Sequence, residues 1–163
     1  MTLLKYLIVV LSLSTATVSA EQHAYQPNAK EITTVLDTFH EAAANADETT
    51  YFNLMAEDFI FLGTDASERW TKETFSAFVR PYFSKGVGWR YVPTQQNVSF
   101  VSDSVAYFDE ILEHEKYGTC RGSGVLVRVN EQWHLSQYNL SIPMPNDLAK
   151  SLVDQIKMHQ SKE

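Results

Sequence analysis

Two adjacent carboxylates, Asp109 and Glu110, lie in an otherwise apolar segment between Tyr107-Phe108 and Ile111-Leu112. Side chains of a β-strand alternate between the two faces of a sheet, so one of these carboxylates must point inward. A lone buried carboxylate is costly unless it is protonated or paired, so the inward one requires a partner. A cation on a neighbouring strand could serve as that partner.

Arg121 is the cation that the next strand offers. If Leu112 pairs with Thr119 across the intervening loop, Glu110 lies opposite Arg121, and a one-residue slip would place Asp109 there instead. In the functional interpretation, Glu110 is a pocket acid whose ionisation Arg121 sets, and Arg121 is the charged anchor for a ligand. Alternatively, the two residues form a structural ion pair that fixes the strand register, because such pairs perturb ionisation as readily as active sites do.

Arg121 belongs to the segment of residues 120–146, which predicts two long strands joined by a tight turn. Gln137 and Asn139 add polar side chains to the second of these strands. A few polar groups among apolar ones are typical of a sheet that lines a cavity. We therefore predict that Gln137 and Asn139 also contact a ligand.

The remaining candidate ligand contacts are aromatic residues and one polar loop. Tyr51, Trp89 and Tyr91 are candidate pocket walls with polar tips, although such aromatic residues also build cores. Asp65 and Trp70 belong to a loop that directly follows an apolar strand, where binding residues are often found. Asp65 could equally form an Asx-turn, and Trp70 could simply close the core.

The pattern of histidine, cysteine and serine residues does not favour metal or nucleophile chemistry. The five histidines lack metal-ligand spacing, and the sequence contains no HExxH motif and no cysteine pair. Cys120 is interpreted as a small buried strand residue rather than as a nucleophile activated by Arg121. Gly122-Ser123-Gly124 lacks the spacing of a nucleophile elbow. We therefore predict neither a metal nor another cofactor.

The first 20 residues are typical of a secretory signal peptide. Lys5 precedes an apolar run at residues 6–13, and Val18-Ser19-Ala20 offers small residues for cleavage. The run is too short to cross a bilayer, which requires about 20 apolar residues. We expect a periplasmic or secreted protein with no membrane attachment after cleavage.

The chain that remains after cleavage is acidic. The full sequence has 13 Lys+Arg and 20 Asp+Glu, and loss of Lys5 leaves 12 against 20, a charge of −8 with histidine neutral. An acidic chain without a basic run does not favour nucleic acid or an anionic membrane as a partner. We expect residues 21–27 to be a flexible lead-in and residues 28–160 to form a single domain.

The order of the predicted elements indicates an α+β fold. Asn28 begins a long amphipathic helix, Asp47 begins a short one, and Thr71 begins a third helix that Pro81 ends or kinks. Asn146 begins a final helix. Strands are predicted at residues 59–62, 89–92, 96–101 and 104–112, before the hairpin. Helices that are segregated from a late antiparallel sheet cover one of its faces.

Three stretches of the chain resemble the nuclear transport factor 2-like superfamily, in particular its SnoaL-like group. They are FIFLGTD at 59–65 with ERW at 68–70, VAYFDE at 105–110, and WHLSQYNLS at 133–141. The resemblance implies a cone-shaped fold, in which a strongly curved antiparallel sheet wraps around N-terminal helices and a C-terminal helix follows. The group often has a pocket-facing histidine where this chain has Asn139. A neutral amide cannot shuttle protons near pH 7.

The resemblance is specific for the fold but broad for the function, because the superfamily contains isomerases, dehydratases, cyclases, binding proteins and oligomerisation modules. We expect a small organic ligand in an aromatic-walled pocket. An isomerase, dehydratase or hydrolase with Glu110 or Asp65 as the base is the first alternative, and a protein-interaction module is the second. The resemblance also implies a homodimer through the exposed sheet face, since residues 105–112 are apolar on both faces.

Overall fold

The computed structural model describes residues 25–162, so the predicted signal peptide and most of the lead-in lie outside the described residues. Within this range the chain forms helices, strands and one 3₁₀ turn. In chain order they are α1 (Ala29–Ala44), α2 (Glu48–Asn53), β1 (Met55–Leu62), β2 (Arg69–Thr71), α3 (Lys72–Phe83), β3 (Val92–Ser102), β4 (Val105–His114), β5 (Gly118–Val129), β6 (Gln132–Ser141), the 3₁₀ turn (Asn146–Leu148) and α4 (Ala149–Gln160).

The six strands form one sheet in the order β2-β1-β6-β5-β4-β3. Neighbouring strands are antiparallel, except that β1 and β6 run parallel. The predicted α+β fold with N-terminal helices, a sheet and a C-terminal helix is confirmed. The parallel pair makes the sheet mixed rather than purely antiparallel, because β6 returns beside the first strand of the chain.

Three helices begin at the predicted residues because a side chain accepts a hydrogen bond from the helix's own backbone. The Oδ1 atom of Asn28 accepts from the Lys30 amide at 2.8 Å, and that of Asp47 accepts from the Thr50 amide at 3.1 Å. Thr71 caps α3 in the same way. These contacts satisfy amides that lack a partner within the helix.

Pro81 does not end α3, which continues to Phe83. A proline inside a helix removes one backbone hydrogen bond. Pro81 is exposed, and so is Ala77, whose carbonyl loses its amide partner. Water can therefore reach that carbonyl, and the first of the two predicted outcomes, a helix that ends at Pro81, does not occur.

The core lies between the helices and one face of the sheet, which we call the inner face. Apolar side chains from α1 and α3 meet side chains from β1, β4, β5 and β6 there. Core side chains with at most 2% exposure include Ile32, Leu36, Phe59, Phe75, Val79, Ala106, Leu126 and Leu135. The buried apolar side chains of α1, α2 and α3 all belong to this core, so these three helices lie on the inner face. We call the opposite face of the sheet the outer face.

The strand β6 contains a bulge at Ser136. Val125 pairs with Gln137, whereas the next residue, Leu126, pairs with Leu135. The extra residue reverses the alternation of side chains, so Leu135 and Tyr138 both point to the inner face although they are three residues apart. Regular alternation along the strand would instead place these two residues on opposite faces.

Two further boundaries differ from the prediction. Residues 89–91 are irregular, and β3 begins at Val92. Asn146 begins the 3₁₀ turn, and α4 follows it without a side-chain cap. No residue of α4 is buried. Across residues 25–162, no helix combines the length and apolarity that a membrane crossing requires.

Candidate functional site

Glu110 is a fully buried carboxylate in the middle of β4. Its Oε1 atom lies 2.8 Å from His40 Nε2 and accepts a hydrogen bond of 2.8 Å from the Tyr138 hydroxyl. Its Oε2 atom accepts from Gln96 Nε2 at 3.2 Å. Side chains from α1, β3 and β6 therefore supply the hydrogen bonds that a buried carboxylate requires.

A glycine on the neighbouring strand makes room for this polar cluster. Glu110 lies opposite Gly122 in β5, and Gly122 lies opposite Leu140 in β6. A Cβ atom at position 122 would collide with Glu110 Oε1 and with the Tyr138 hydroxyl. The absence of a side chain there lets the two polar groups meet in the core.

Tyr138 joins the polar cluster to the aromatic core. Burial, and then the nearby charge of Glu110, raise the pKa of Tyr138 well above its ordinary value. Its hydroxyl therefore remains protonated and can donate to the carboxylate. The Tyr138 ring contacts Phe39 at a centroid distance of 5.1 Å and Phe61 at 5.9 Å.

The aromatic side chains of the inner face mostly contact one another. Tyr51 is buried and stacks on Phe39 with centroids 4.6 Å apart, and Phe61 stacks on Phe75 at 4.2 Å. Burial raises the pKa of Tyr51 far above its ordinary value. Tyr51 thus lies in a packed ring cluster, and ligand contact by this residue stays a prediction.

His40 connects Glu110 to a cleft of about 280 Å³ between α1 and the start of β3. The His40 side chain is buried, and its Nδ1 atom makes no hydrogen bond within residues 25–162. When Nε2–H donates to Glu110, Nδ1 carries the lone pair of the neutral ring. The cleft is lined by Asp37, His40, Glu41, Ala44, Asn45, Arg90, Tyr91, Val92 and Pro93.

A second set of hydrogen bonds joins the cleft to Glu110. Gln96 Nε2 donates to Asp37 Oδ1 and to Glu110 Oε2, both at 3.2 Å. Asp37 and His40 are three residues apart on α1 and therefore lie on the same side of the helix. The side-chain amide of Gln96 therefore bridges the exposed carboxylate of Asp37 and the buried carboxylate of Glu110.

Tyr91 forms one wall of the same cleft. Its ring lies on His114 with centroids 4.5 Å apart. Burial, and then the proximity of Cys120 and Tyr117, raise the pKa of Tyr91 to about 12. The Tyr91 hydroxyl is therefore a hydrogen-bond donor at neutral pH. Among the predicted ligand contacts, Tyr91 and Glu110 are the two that the structure places around His40.

Arg121 does not pair with Glu110. Leu112 pairs with Cys120 rather than with Thr119, so Ile111 lies opposite Arg121. This shift of one residue directs the exposed side chain of Arg121 to the outer face, away from Glu110. The predicted register is wrong because the loop closes at Gly118, whose positive φ of 65° lets His114 pair with it.

Gln137 and Asn139 also lie on the outer face. They pair with Ile60 and Leu62 of β1, while Tyr138 between them points inward. The bulge in β6 determines this orientation. The structure therefore separates these residues from His40, and their contact with a ligand stays a prediction.

Asp65, Trp70 and Trp89 lie in three other places. Asp65 Oδ1 accepts hydrogen bonds from the amide and hydroxyl of Ser67 at 2.8 and 2.6 Å, which lower the Asp65 pKa. This geometry is an Asx-turn. Trp70 packs edge-on against the ring of Phe78, and Trp89 lies beside Phe83. A role for these three residues in ligand binding stays a prediction.

Sequence reasoning missed His40 and Tyr138 as members of the cluster. His40 follows Ile32 and Leu36 at intervals of four residues, so it lies on the buried stripe of α1. A histidine on such a stripe indicates a polar partner in the core. Tyr138 offered no comparable signal, because the bulge changes the face to which it points.

Other reactive groups in the described part of the chain do not form a site. Residues 25–162 contain no group of three His, Cys, Asp or Glu side chains that could hold a metal ion. Cys120 is a buried free thiol, and burial raises its pKa. This environment is the opposite of one that activates a nucleophilic cysteine.

The chain is similar to one protein family in sequence and to several solved structures in fold. Residues 32–145 match the model of the SnoaL-like domain family. No curated protein matches the chain. Similar solved structures include a domain of unknown function with a cystatin-like fold from Nostoc punctiforme PCC 73102. It has a TM-score of 0.64 and 15% identity, over 77% of this chain and 83% of that one.

Two further solved structures have the same fold. An NTF2-like protein of unknown function from Pseudomonas putida KT2440 has a TM-score of 0.60 and 14% identity, over 72% of this chain and 87% of that one. A protein of Novosphingobium aromaticivorans DSM 12444 named "putative scytalone dehydratase" has a TM-score of 0.59 and 14% identity. The likeness covers 71% of this chain and 84% of that one. At these identities the likeness shows the fold alone.

Proposed function

The chain belongs to the SnoaL-like domain family, and we propose that it binds a small organic molecule in the cleft lined by His40. The observation that supports this proposal best is the fully buried carboxylate of Glu110, which holds one histidine at the cleft. A buried carboxylate is rarely favourable for stability alone, because apolar packing of similar volume does at least as well. Such groups therefore indicate functional sites more often than ordinary core positions do.

The lining of the cleft indicates a small ligand with polar groups. A volume of about 280 Å³ lies near the lower end of the range for small-molecule pockets, roughly 300–1,000 Å³. Asp37 and Glu41 offer carboxylate acceptors, Arg90 offers a cation, and Tyr91 and Pro93 offer apolar surface. A ligand with a hydrogen-bond donor at one end could donate to the carboxylates of Asp37 and Glu41. An anionic group at its other end could bind Arg90.

Binding can be tested by nuclear magnetic resonance on protein with ¹⁵N-labelled histidine. The probes are individual small carboxylic acids, amino acids and hydroxy acids. We expect at least one of them to shift the ring signals of His40 in a saturable way. The Ala44→Phe variant places a bulky ring in the cleft and should abolish the response.

Ala77→Phe is the matched control, because Ala77 is exposed on α3 and does not line the cleft. It should respond as the unaltered protein does. If none of the probes moved the His40 signals, or if Ala44→Phe left the response intact, binding in this cleft would be contradicted.

Proton transfer to or from the bound molecule is the second candidate function. The hydrogen bond between His40 Nε2 and Glu110 Oε1 favours it, because a carboxylate that fixes one ring nitrogen leaves the other free to act on a ligand. Here His40 would be the base and Glu110 a positioning residue, rather than Glu110 or Asp65 being the base. The role requires Nδ1 to lack a proton at the working pH.

The tautomer of His40 tests this second candidate. The ¹⁵N chemical shifts of the neutral ring should identify the tautomer in which Nε2 carries the proton and Nδ1 does not. In the Glu110→Leu variant the preference for this tautomer should be lost. A ring with protons on both nitrogens, or a tautomer that Glu110→Leu does not affect, would refute the base role without excluding ligand binding.

A further inference from the structure

The ring of Tyr25 is held on several sides at the end of α1 opposite to His40. The guanidinium carbon of Arg128 lies 3.5 Å from the centre of the Tyr25 ring. Trp133 Nε1 donates to the Tyr25 hydroxyl at 3.0 Å, and the hydroxyl donates to Glu31 Oε2 at 2.5 Å. The ring face, the hydroxyl oxygen and the hydroxyl proton of this phenol therefore each have a partner.

The partners of Tyr25 belong to the folded domain. Arg128 and Trp133 face each other as a pair between β5 and β6. Trp133 is buried, and its Nε1 atom also donates to Glu31 Oε2 at 3.1 Å. Tyr25 itself lies before α1, on a segment with no regular secondary structure. The site is thus built from α1, β5 and β6, while its occupant lies on the segment that precedes α1.

Arg128 is not neutralised by a carboxylate within the described residues. No ion pair of Arg128 is found there, and its Nε atom is buried without a hydrogen-bond partner. A guanidinium group that lacks an anionic partner is attracted to the face of an aromatic ring. The unpaired Nε–H also offers a donor that the Tyr25 side chain does not use.

An open groove continues from the Tyr25 position. Glu31 and Trp133 also line a cleft of about 750 Å³, together with Lys30, Val35, Leu54 and His134. A phenol with a substituent could therefore place its ring at the Tyr25 position and extend along this cleft. Glu31 and His40 are nine residues apart on α1, which corresponds to roughly 13 Å along the helix axis. The two clefts also share no lining residue, so the two sites are distinct.

We propose that Glu31, Arg128 and Trp133 form a second binding site, specific for phenols, which Tyr25 occupies as an intramolecular ligand and a free phenol can take. Burial, and then the hydrogen bond to Glu31, raise the pKa of Tyr25, so the phenol is held in its protonated form. The site recognises a donor hydroxyl together with an aromatic face. Because the occupant is tethered next to α1, a free phenol competes with a high effective concentration of Tyr25.

The test uses 4-methylphenol, which reproduces the side chain of tyrosine, and the full chain with the Tyr25→Ala substitution. We expect one molecule of 4-methylphenol to bind per chain, measured by calorimetry and by the change in tryptophan fluorescence. Its affinity for Tyr25→Ala should be at least tenfold higher than for the unaltered protein. Toluene, which lacks the hydroxyl, should bind at least tenfold more weakly than 4-methylphenol to this variant.

Two controls separate this site from the rest of the molecule. Tyr25→Phe keeps a ring in the site. Its affinity for 4-methylphenol should therefore be at least tenfold lower than that of Tyr25→Ala. Ala44→Phe, which blocks the His40 cleft, should leave 4-methylphenol binding unchanged. Loss of binding in Ala44→Phe would assign the phenol to the other cleft and would overturn the proposal.

A second measurement does not depend on the folding of a variant. In the unaltered protein, the ring signals of Tyr25 should move toward those of an unstructured tyrosine as 4-methylphenol is added at millimolar concentration. Tyr25 signals that stay fixed at saturation would overturn the proposal. Equal affinities of toluene and 4-methylphenol for Tyr25→Ala would do the same, because they would indicate only an apolar void.

Discussion

The polar cluster in the core depends on the interaction between His40 and Glu110. Both side chains are buried, and either one alone would leave a polar or charged group unpaired among apolar residues. Tyr138 and Gln96 add further hydrogen bonds to Glu110. The stability of the cluster should therefore depend on the pair as a unit.

We expect His40→Ala to lower the free energy of unfolding by roughly 3–5 kcal/mol, because it leaves a buried carboxylate without its pair. Glu110→Ala should lower it by roughly 1–3 kcal/mol, because it leaves the His40 ring N–H without an acceptor. The double substitution should cost less than the sum, with a coupling energy of about 1–3 kcal/mol. Urea denaturation of the four proteins measures this energy. Asp109→Ala is the matched control, because Asp109 is the exposed neighbour of Glu110, and its loss should cost at most about 0.5 kcal/mol. Strict additivity would contradict the pairing.

At the scale of elements, β5 can pass the polar cluster only because position 122 has no side chain. Gly122→Ala should lower the free energy of unfolding by about 1–3 kcal/mol, since the added methyl group overlaps Glu110 and Tyr138. Thermal and urea unfolding measure the loss. Ser123→Ala changes the next residue, which points to the outer face, and should have an effect of at most about 0.5 kcal/mol. A neutral Gly122→Ala variant would contradict the packing around Glu110.

The outer face of the sheet carries apolar side chains that α1, α2 and α3 leave uncovered. Tyr107 is 52% exposed. The other apolar residues of this face are partly exposed, and they are Ile60, Leu62, Val105, Ile111, Val125 and Val127. Soluble proteins rarely expose a contiguous apolar patch of this kind. We propose, as the sequence predicts, that a second copy of the chain covers this face.

Light scattering at micromolar concentration should therefore report twice the mass of one chain. Val125→Glu places a charge in the middle of the face and should shift the protein to a monomer. Val101→Glu is the control, because Val101 is also exposed but lies near the end of the edge strand β3. A monomeric unaltered protein, or equal effects of the two substitutions, would count against this interface.

At the scale of the whole molecule, the sequence predicts export, and residues 1–20 lie outside the described residues. We propose cleavage between Ala20 and Glu21, because a basic residue, an apolar run and small residues follow one another there. The intact mass of protein recovered outside the cytoplasm should lack the first 20 residues. Recovery of a chain that still begins at Met1 would contradict cleavage, and Ala20→Pro should prevent it.

The sequence by itself determined the features that depend on neighbours along the chain. The α+β order follows from the period of apolar residues, and three helix starts follow from Asn28, Asp47 and Thr71. These side chains reach amides two or three residues away, so no distant part of the chain is needed to place them. The sequence also required that one of Asp109 and Glu110 point inward and find a partner.

Only the tertiary structure decided which partner that is. His40 lies 70 residues before Glu110 along the chain, and the two meet because α1 crosses the inner face of the sheet. A shift of one residue in the pairing of β4 and β5 removed Arg121 from the cluster, and the bulge at Ser136 turned Tyr138 toward it. Strand register and bulges are chosen by the packing of the whole core, because each moves a set of side chains from one face to the other.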